Sequence, residues 1–279
     1  MSLDRNLVSC QWLASHLDDP DLVIFDAGMA PVGSSAPYQV TAKIKGAQRF
    51  DFSNEIVDKT HPLPNTLPSA ELFTLLMQQK GVNQSSTVVV YDDIGLYSAP
   101  RAWWMFKVMG FERVYVLNGG LPAWLANGGE VQLDYETANV QGDFMARYQD
   151  KHVVDAPAVF QAIHDKHVLL LDARAAGRFS GEQAEPRVGM RSGHIPHSKN
   201  LPFNQLIHQG QLKKDTQLND AFEQLVAKDV TTLHFSCGSG VTACILALAA
   251  AQLGHWSWAV YDGSWSEWGA NSDLPIESV

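Results

Sequence analysis

The sequence predicts an α/β protein built from two copies of one unit, each a mainly parallel β-sheet covered by helices. Three observations carry that reading. Short runs rich in Val, Leu and Ile alternate with amphipathic or apolar runs of helical length, which is the pattern of βαβ units. Related segments recur half a chain apart: residues 22–27 match 169–173, 88–92 match 233–237 and 116–124 match 260–268, at offsets of 146, 145 and 144. So steady an offset across 279 residues points to duplication of one domain. The composition, 46% hydrophobic and 18% charged, suits a globular chain long enough for two cores.

In the first half, 71–77 reads as a helix, 87–91 as a strand, 102–108 as a helix and 114–117 as a strand. In the second half, 156–164, 219–226 and 243–251 read as helices, and 168–171, 231–236 and 258–261 as strands. The polar, irregular stretch 133–152 has no counterpart in the repeat. It is assigned as the linker between a first domain at 8–132 and a second at 153–279. In sheets of this kind ligands sit beyond the C-terminal ends of the strands.

Charge and composition exclude several classes. A net charge of −10 argues against nucleic acid as a partner. No apolar run reaches the length of a membrane span. The opening residues Met1-Ser2-Leu3-Asp4-Arg5 lack the basic flank and apolar stretch of a signal peptide. Cysteines at 10, 237 and 244 form neither a metal-ligand spacing nor a disulfide framework, so a reducing, cytoplasmic setting and no metal are expected. Within this acidic chain, residues 174–199 hold Arg174, Arg178, Arg187, Arg191 and Lys199 against Glu182 and Glu185. That local excess of positive charge would draw a small anionic substrate.

The run Cys237-Gly238-Ser239-Gly240-Val241-Thr242 lies between the strand at 231–236 and the helix at 243–251. A glycine-rich turn there aims successive N–H groups inward as an anion nest, and the helix dipole adds positive potential. Both favour a thiolate, which is the nucleophilic form of cysteine. Cysteine before a β–α turn is also an ordinary core residue. The two glycines, serine and threonine packed behind it favour the reactive reading. Cys244, on the apolar helix, reads as core, and Cys10 has no chemical context. The position matching Cys237 in the first half is Asp92, so the first domain cannot use the same nucleophile.

With these residues in view, the chain resembles the tandem rhodanese-type sulfurtransferases over nearly its full length. The resemblance is carried by residues 96–104 in the first half and by 172–179 in the second. Glu185-Pro186-Arg187, Ser192-Gly193-His194-Ile195-Pro196, residues 261–268 and the cysteine loop complete it. It implies two rhodanese-like domains, the second catalytic. Thiosulfate-specific members carry a basic pair after the cysteine. Gly238-Ser239 instead looks like the 3-mercaptopyruvate branch, whose carboxylate-bearing donor is held by more distant arginines.

The resemblance implies covalent, ping-pong sulfur transfer. Cys237 takes sulfur from 3-mercaptopyruvate as a persulfide, pyruvate leaves, and a thiol acceptor such as a thioredoxin-like protein, or cyanide, removes the sulfur. No organic cofactor is needed. Arg178 and Arg187 match the substrate-binding arginines, Gly238, Gly240, Val241 and Thr242 line the sulfur site, and Ser239 assists proton transfer. Arg174 and Arg191 are assigned structural roles, and His194 the fixing of the turn before Pro196. Tyr97, Arg101, Trp103 and Trp104 are assigned to packing at a domain interface. Some relatives link the loop serine to a histidine and an aspartate of the first domain. Here Ser53 stands near the expected aspartate and Asn65 near the expected histidine, with His61 four residues early. The alternatives are a thiosulfate:cyanide sulfurtransferase and a non-enzymatic sulfur carrier. A cysteine phosphatase is disfavoured, because Ala243 stands where its loop needs an arginine.

Overall fold

The structure, a computed structural model, describes residues 5–30, 34 and 36–278. The segment Met1 to Asp4, part of the stretch read above for a signal peptide, lies outside the described residues. The chain divides into two compact units. The first holds residues up to Lys59, Leu67–Gln149 and Gln209–Leu212; the second holds Thr60–Thr66, Asp150–His208 and Lys213 onward.

The first unit runs β1 (Leu7–Val8), α1 (Cys10–Ala14), β2 (Leu22–Asp26), β3 (Ala47–Arg49), α2 (Ala70–Gln79), β4 (Thr87–Tyr91), α3 (Ala99–Val108), β5 (Val114–Leu117) and α4 (Gly120–Ala126). Its five strands pair in parallel in the order β1-β5-β4-β2-β3. All five residues of β4, TVVVY, are buried, as expected of a central parallel strand covered on both faces. One core packs Phe25, Phe50, Phe73 and Phe106, with ring centroids 5.2–6.3 Å apart. Residues 133–149 of the stretch read as a linker belong to this unit, where Phe144 is fully buried against Phe73 and Phe111.

The second unit runs β6 (Val153–Val154), α5 (Ala156–Ala162), β7 (Val168–Asp172), α6 (Ala176–Ser180), β8 (Lys199–Asn200), α7 (Asp215–Glu223), β9 (Thr232–Ser236), α8 (Ala243–Leu253), β10 (Ser257–Tyr261) and α9 (Ser264–Trp268). Its sheet is again parallel, in the order β8-β7-β9-β10-β6. Read from the opposite edge, that is the strand order of the first unit, so the repeat in sequence is a repeat in topology. Helix α8 (ACILALAAAQL) is buried on nearly every residue and ends on Gly254 at φ +72°, a left-handed cap that glycine adopts without steric cost.

Two helix bounds differ instructively from the sequence reading. The helix expected at 219–226 is Asp215–Glu223. Leu218 and Phe222, four residues apart, set its buried face, and its first turn is polar, with Asp215 favourably placed at the N-terminus. The apolar run that suggested a later start belongs to the turn after it, where Leu225 and Val226 both donate to the Phe222 carbonyl. Helix α3 starts at Ala99 rather than 102, because Pro100 sits in the first turn, where a missing N–H costs nothing.

Candidate active site

Cys237 follows the last residue of β9, the central strand of the second sheet, and is 1% exposed. Its backbone is held on both sides by the start of α9. The Cys237 N–H donates to Ser264 Oγ at 3.1 Å, and the Cys237 carbonyl accepts from the Trp265 N–H at 3.0 Å. Ser264 in turn donates to the Tyr261 carbonyl at 2.7 Å and takes a left-handed φ of +48°. Such a conformation is uncommon for a non-glycine residue and gathers at functional sites. Gly240 turns the loop back at φ +73°, and Cys244 Sγ donates to its carbonyl at 3.1 Å. Among the described residues, the N–H groups of Ser239, Val241 and Thr242 have no acceptor within the protein.

Of the expected arginines, Arg178 lies beside this loop and Arg187 connects to it through Ser266. Arg178, on α6, lies against Gly238; a β-carbon there would sit 3.1 Å from Arg178 Nη2, a tight contact that glycine relieves. Arg178 is paired with Glu185, through Nη2–Oε2 at 2.5 Å and Nε–Oε1 at 3.1 Å. Glu185 also accepts from Arg174 Nη1 at 2.8 Å, and Arg174 bonds the Asp172 carboxylate and the Gly193 carbonyl. Burial disfavours charge on Arg174, but Asp172 and Glu185 outweigh it and hold the guanidinium above the usual arginine range. Arg174 is therefore a structural tie, 2% exposed, stacked over Trp265 at 4.3 Å. Arg191 is likewise occupied with the carbonyls of Trp268, Gly269, Asn271 and Leu274.

Arg187 differs. Its Nη1 donates to Ser266 Oγ at 2.9 Å, and it makes no ion pair among the described residues. Of the two arginines, one is thus paired with a carboxylate and one is held by a hydroxyl. The pairing of Glu185 and the contact of Ser266 were not foreseen. Both residues stand in segments that the sequence reading singled out, but their partners are set by the fold.

Ser239 Oγ accepts from Asn65 Nδ2 at 3.4 Å, within the second unit. An amide N–H in this position can hold the hydroxyl but cannot take its proton, unlike the histidine of a relay. His61 Nδ1 is engaged locally by the Leu63 N–H at 3.3 Å and the Thr66 hydroxyl at 3.2 Å. His194, expected to fix the turn before Pro196, is held by two further elements. Its Nδ1 lies 2.8 Å from the Phe179 carbonyl, its ring stacks on Phe179, and its backbone bridges Glu277, so it ties the end of α6 to the C-terminal segment. The turn that contains Pro196 is closed by Ser198, whose N–H and Oγ both donate to the Ile195 carbonyl.

At the matching position of the first unit, Asp92 fills the nest with its own carboxylate. Oδ1 accepts from the N–H groups of Ile94 and Gly95, and Oδ2 from those of Tyr97, Ser98 and Ala99, all at 2.8–3.1 Å. Asp92 is fully buried. In the first unit the loop that matches 237–242 is thus closed around its own buried carboxylate.

Among the described residues, no three or more His, Cys, Asp or Glu side chains are grouped to hold a metal, and no helix is long and apolar enough to cross a membrane. The model of the rhodanese-like domain matches the chain twice, at residues 9–127 and 155–271. The chain belongs to the rhodanese-like sulfurtransferases. It is 41% identical over 281 residues to the 3-mercaptopyruvate sulfurtransferase of Escherichia coli K12, covering 98% of each chain. It is 38% identical over 311 residues to thiosulfate/3-mercaptopyruvate sulfurtransferase 1 of Arabidopsis thaliana, covering all of this chain and 80% of that one. The crystal structure of SseA from Escherichia coli superposes with a TM-score of 0.83 at 38% identity, over 94% of this chain and 99% of that one. This rhodanese-like sulfurtransferase therefore has two parallel-sheet domains.

Proposed function

We propose that this sulfurtransferase takes sulfur from 3-mercaptopyruvate onto Cys237 and passes it to a thiol. The observation that carries this reading is the pairing of a loop without basic residues, Gly238-Ser239, with Arg187 held by a neutral hydroxyl. A carboxylate-bearing donor can be held by Arg187 and Arg178, which stand outside the cysteine loop in sequence, in the bidentate manner guanidinium favours. A compact dianion such as thiosulfate would favour basic residues in the loop directly after the cysteine, where Gly238-Ser239 stand.

The Cys237 thiolate attacks the donor sulfur, and the donor C–S bond breaks. Its electron pair passes to the enolate of pyruvate, which is then protonated; Ser239, two residues after the cysteine, is the residue proposed to assist that transfer. Cys237 keeps the sulfur as a persulfide, stabilised by the N–H groups of Ser239, Val241 and Thr242 as an oxyanion hole stabilises developing charge. A thiolate acceptor attacks the outer sulfur, leaves as a new persulfide and returns Cys237 to thiolate. Cyanide does the same and leaves as thiocyanate. The acceptor is a thiol, with a small dithiol protein of the thioredoxin kind as one form, and the setting is the cytoplasm.

The test is kcat/KM for both donors with cyanide as acceptor. The reading expects 3-mercaptopyruvate to be preferred by at least about tenfold, a difference of roughly 1.4 kcal/mol in transition-state binding. Preference for thiosulfate would assign the other donor. Absence of turnover with either would leave a carrier.

A further inference from the structure

Ser266 lies at the crossing of two contacts and is 5% exposed. Its Oγ–H donates to the Gly238 carbonyl at 2.6 Å, which fixes the hydrogen and leaves the oxygen lone pairs to accept from Arg187 Nη1 at 2.9 Å. Its backbone N–H donates to the same Gly238 carbonyl at 2.9 Å. The loop is therefore held by the main chain of residue 266 whatever its side chain. What the hydroxyl adds is the link to Arg187. Because the hydroxyl is already polarised by donating, it is a better acceptor for the guanidinium. Because it is neutral, it aims Arg187 without cancelling its charge, in contrast to Glu185 on Arg178.

We propose that Ser266 is a positioning residue that aims Arg187, with its charge intact, at the carboxylate of the sulfur donor and ties that aim to the loop carrying Cys237. This rests on the donor reading above. The role predicts a split between the two half-reactions. Uptake from a carboxylate donor depends on Arg187, whereas discharge of the persulfide to cyanide does not.

The experiment is a double-mutant cycle on the full chain with Ser266→Ala, Arg187→Gln and both together, read as kcat/KM for 3-mercaptopyruvate, with a thermal melt of each variant. Ser266→Ala alone is expected to lose about tenfold, mainly through a raised KM, the scale of one hydrogen bond to a charged group. In the Arg187→Gln background the same change is expected to cost less than about twofold. Ser266→Ala loaded with sulfur at saturating donor and freed of it should discharge to cyanide at the wild-type rate. Equal losses in both backgrounds, or an equal loss in both half-reactions, would overturn the proposal. Wild-type protein is measured first. If it loads only from thiosulfate, the donor reading fails on its own, and the same cycle is run with thiosulfate, where additivity overturns the positioning role.

Discussion

Replacing Asp92 with alanine should leave an empty anion site in the first unit. Five backbone N–H groups at 2.8–3.1 Å lose one shared, fully buried carboxylate. Removing one partner from a buried charged cluster typically costs about 3–5 kcal/mol, because the remaining groups stay desolvated. Water entering the vacated space would recover part of that, so about 3 kcal/mol is the expected loss. The diagnostic feature is rescue. An added oxyanion that binds the empty nest and not the unfolded chain restores stability as RT ln(1 + [L]/Kd), about 2.7 kcal/mol at one hundred times its Kd. Urea titrations of wild type and Asp92→Ala, with sulfate against chloride at matched ionic strength, read this directly. The variant should gain more from sulfate than wild type does. A variant as stable as wild type, or one with the wild-type response to sulfate, would refute the reasoning.

Other consequences follow from the same geometry. Arg174→Ala removes the cation between two buried carboxylates, Asp172 and Glu185, and should lower stability by about 3–5 kcal/mol in denaturant titration. His234, on β9, is pushed down to about 4 by burial, so the folded state holds it neutral while the unfolded chain protonates near 6.5. Its contribution is present above pH 6.5 and is lost as pH falls from there towards 4, by at most about 3 kcal/mol. His234→Leu should accordingly flatten stability across that window relative to wild type, and parallel curves would contradict the assignment. Ser239→Ala should slow pyruvate release by about tenfold without shifting the melting temperature, as expected of a proton-transfer aid. An unchanged rate removes Ser239 from the chemistry.

The legible and illegible parts of this molecule divide along physical lines. The repeat was readable because parallel strands buried on both faces leave apolar runs, and the two copies kept their spacing from Asp26 and Asp172 to Trp124 and Trp268. The cysteine loop was readable because its glycines, nucleophile and following helix are contiguous. Asp92 was identifiable as the counterpart of Cys237, but its five N–H contacts depend on the path of residues 94–99, which no local pattern encodes. The difference between Arg178 and Arg187 was equally hidden. One partner is seven residues away and the other 79, and only the fold decides that a carboxylate meets the first and a hydroxyl the second. The start of α7 was misplaced because apolar periodicity marks the buried face, not the polar first turn that precedes it.

The measurement that bears most directly on the central claim is the intact mass of the protein after brief exposure to 3-mercaptopyruvate without an acceptor, beside a Cys237→Ser control. The account predicts a gain of one sulfur atom in the wild type, absent in the control and lost on adding cyanide. No gain from 3-mercaptopyruvate, or an equal gain in the control, would contradict it.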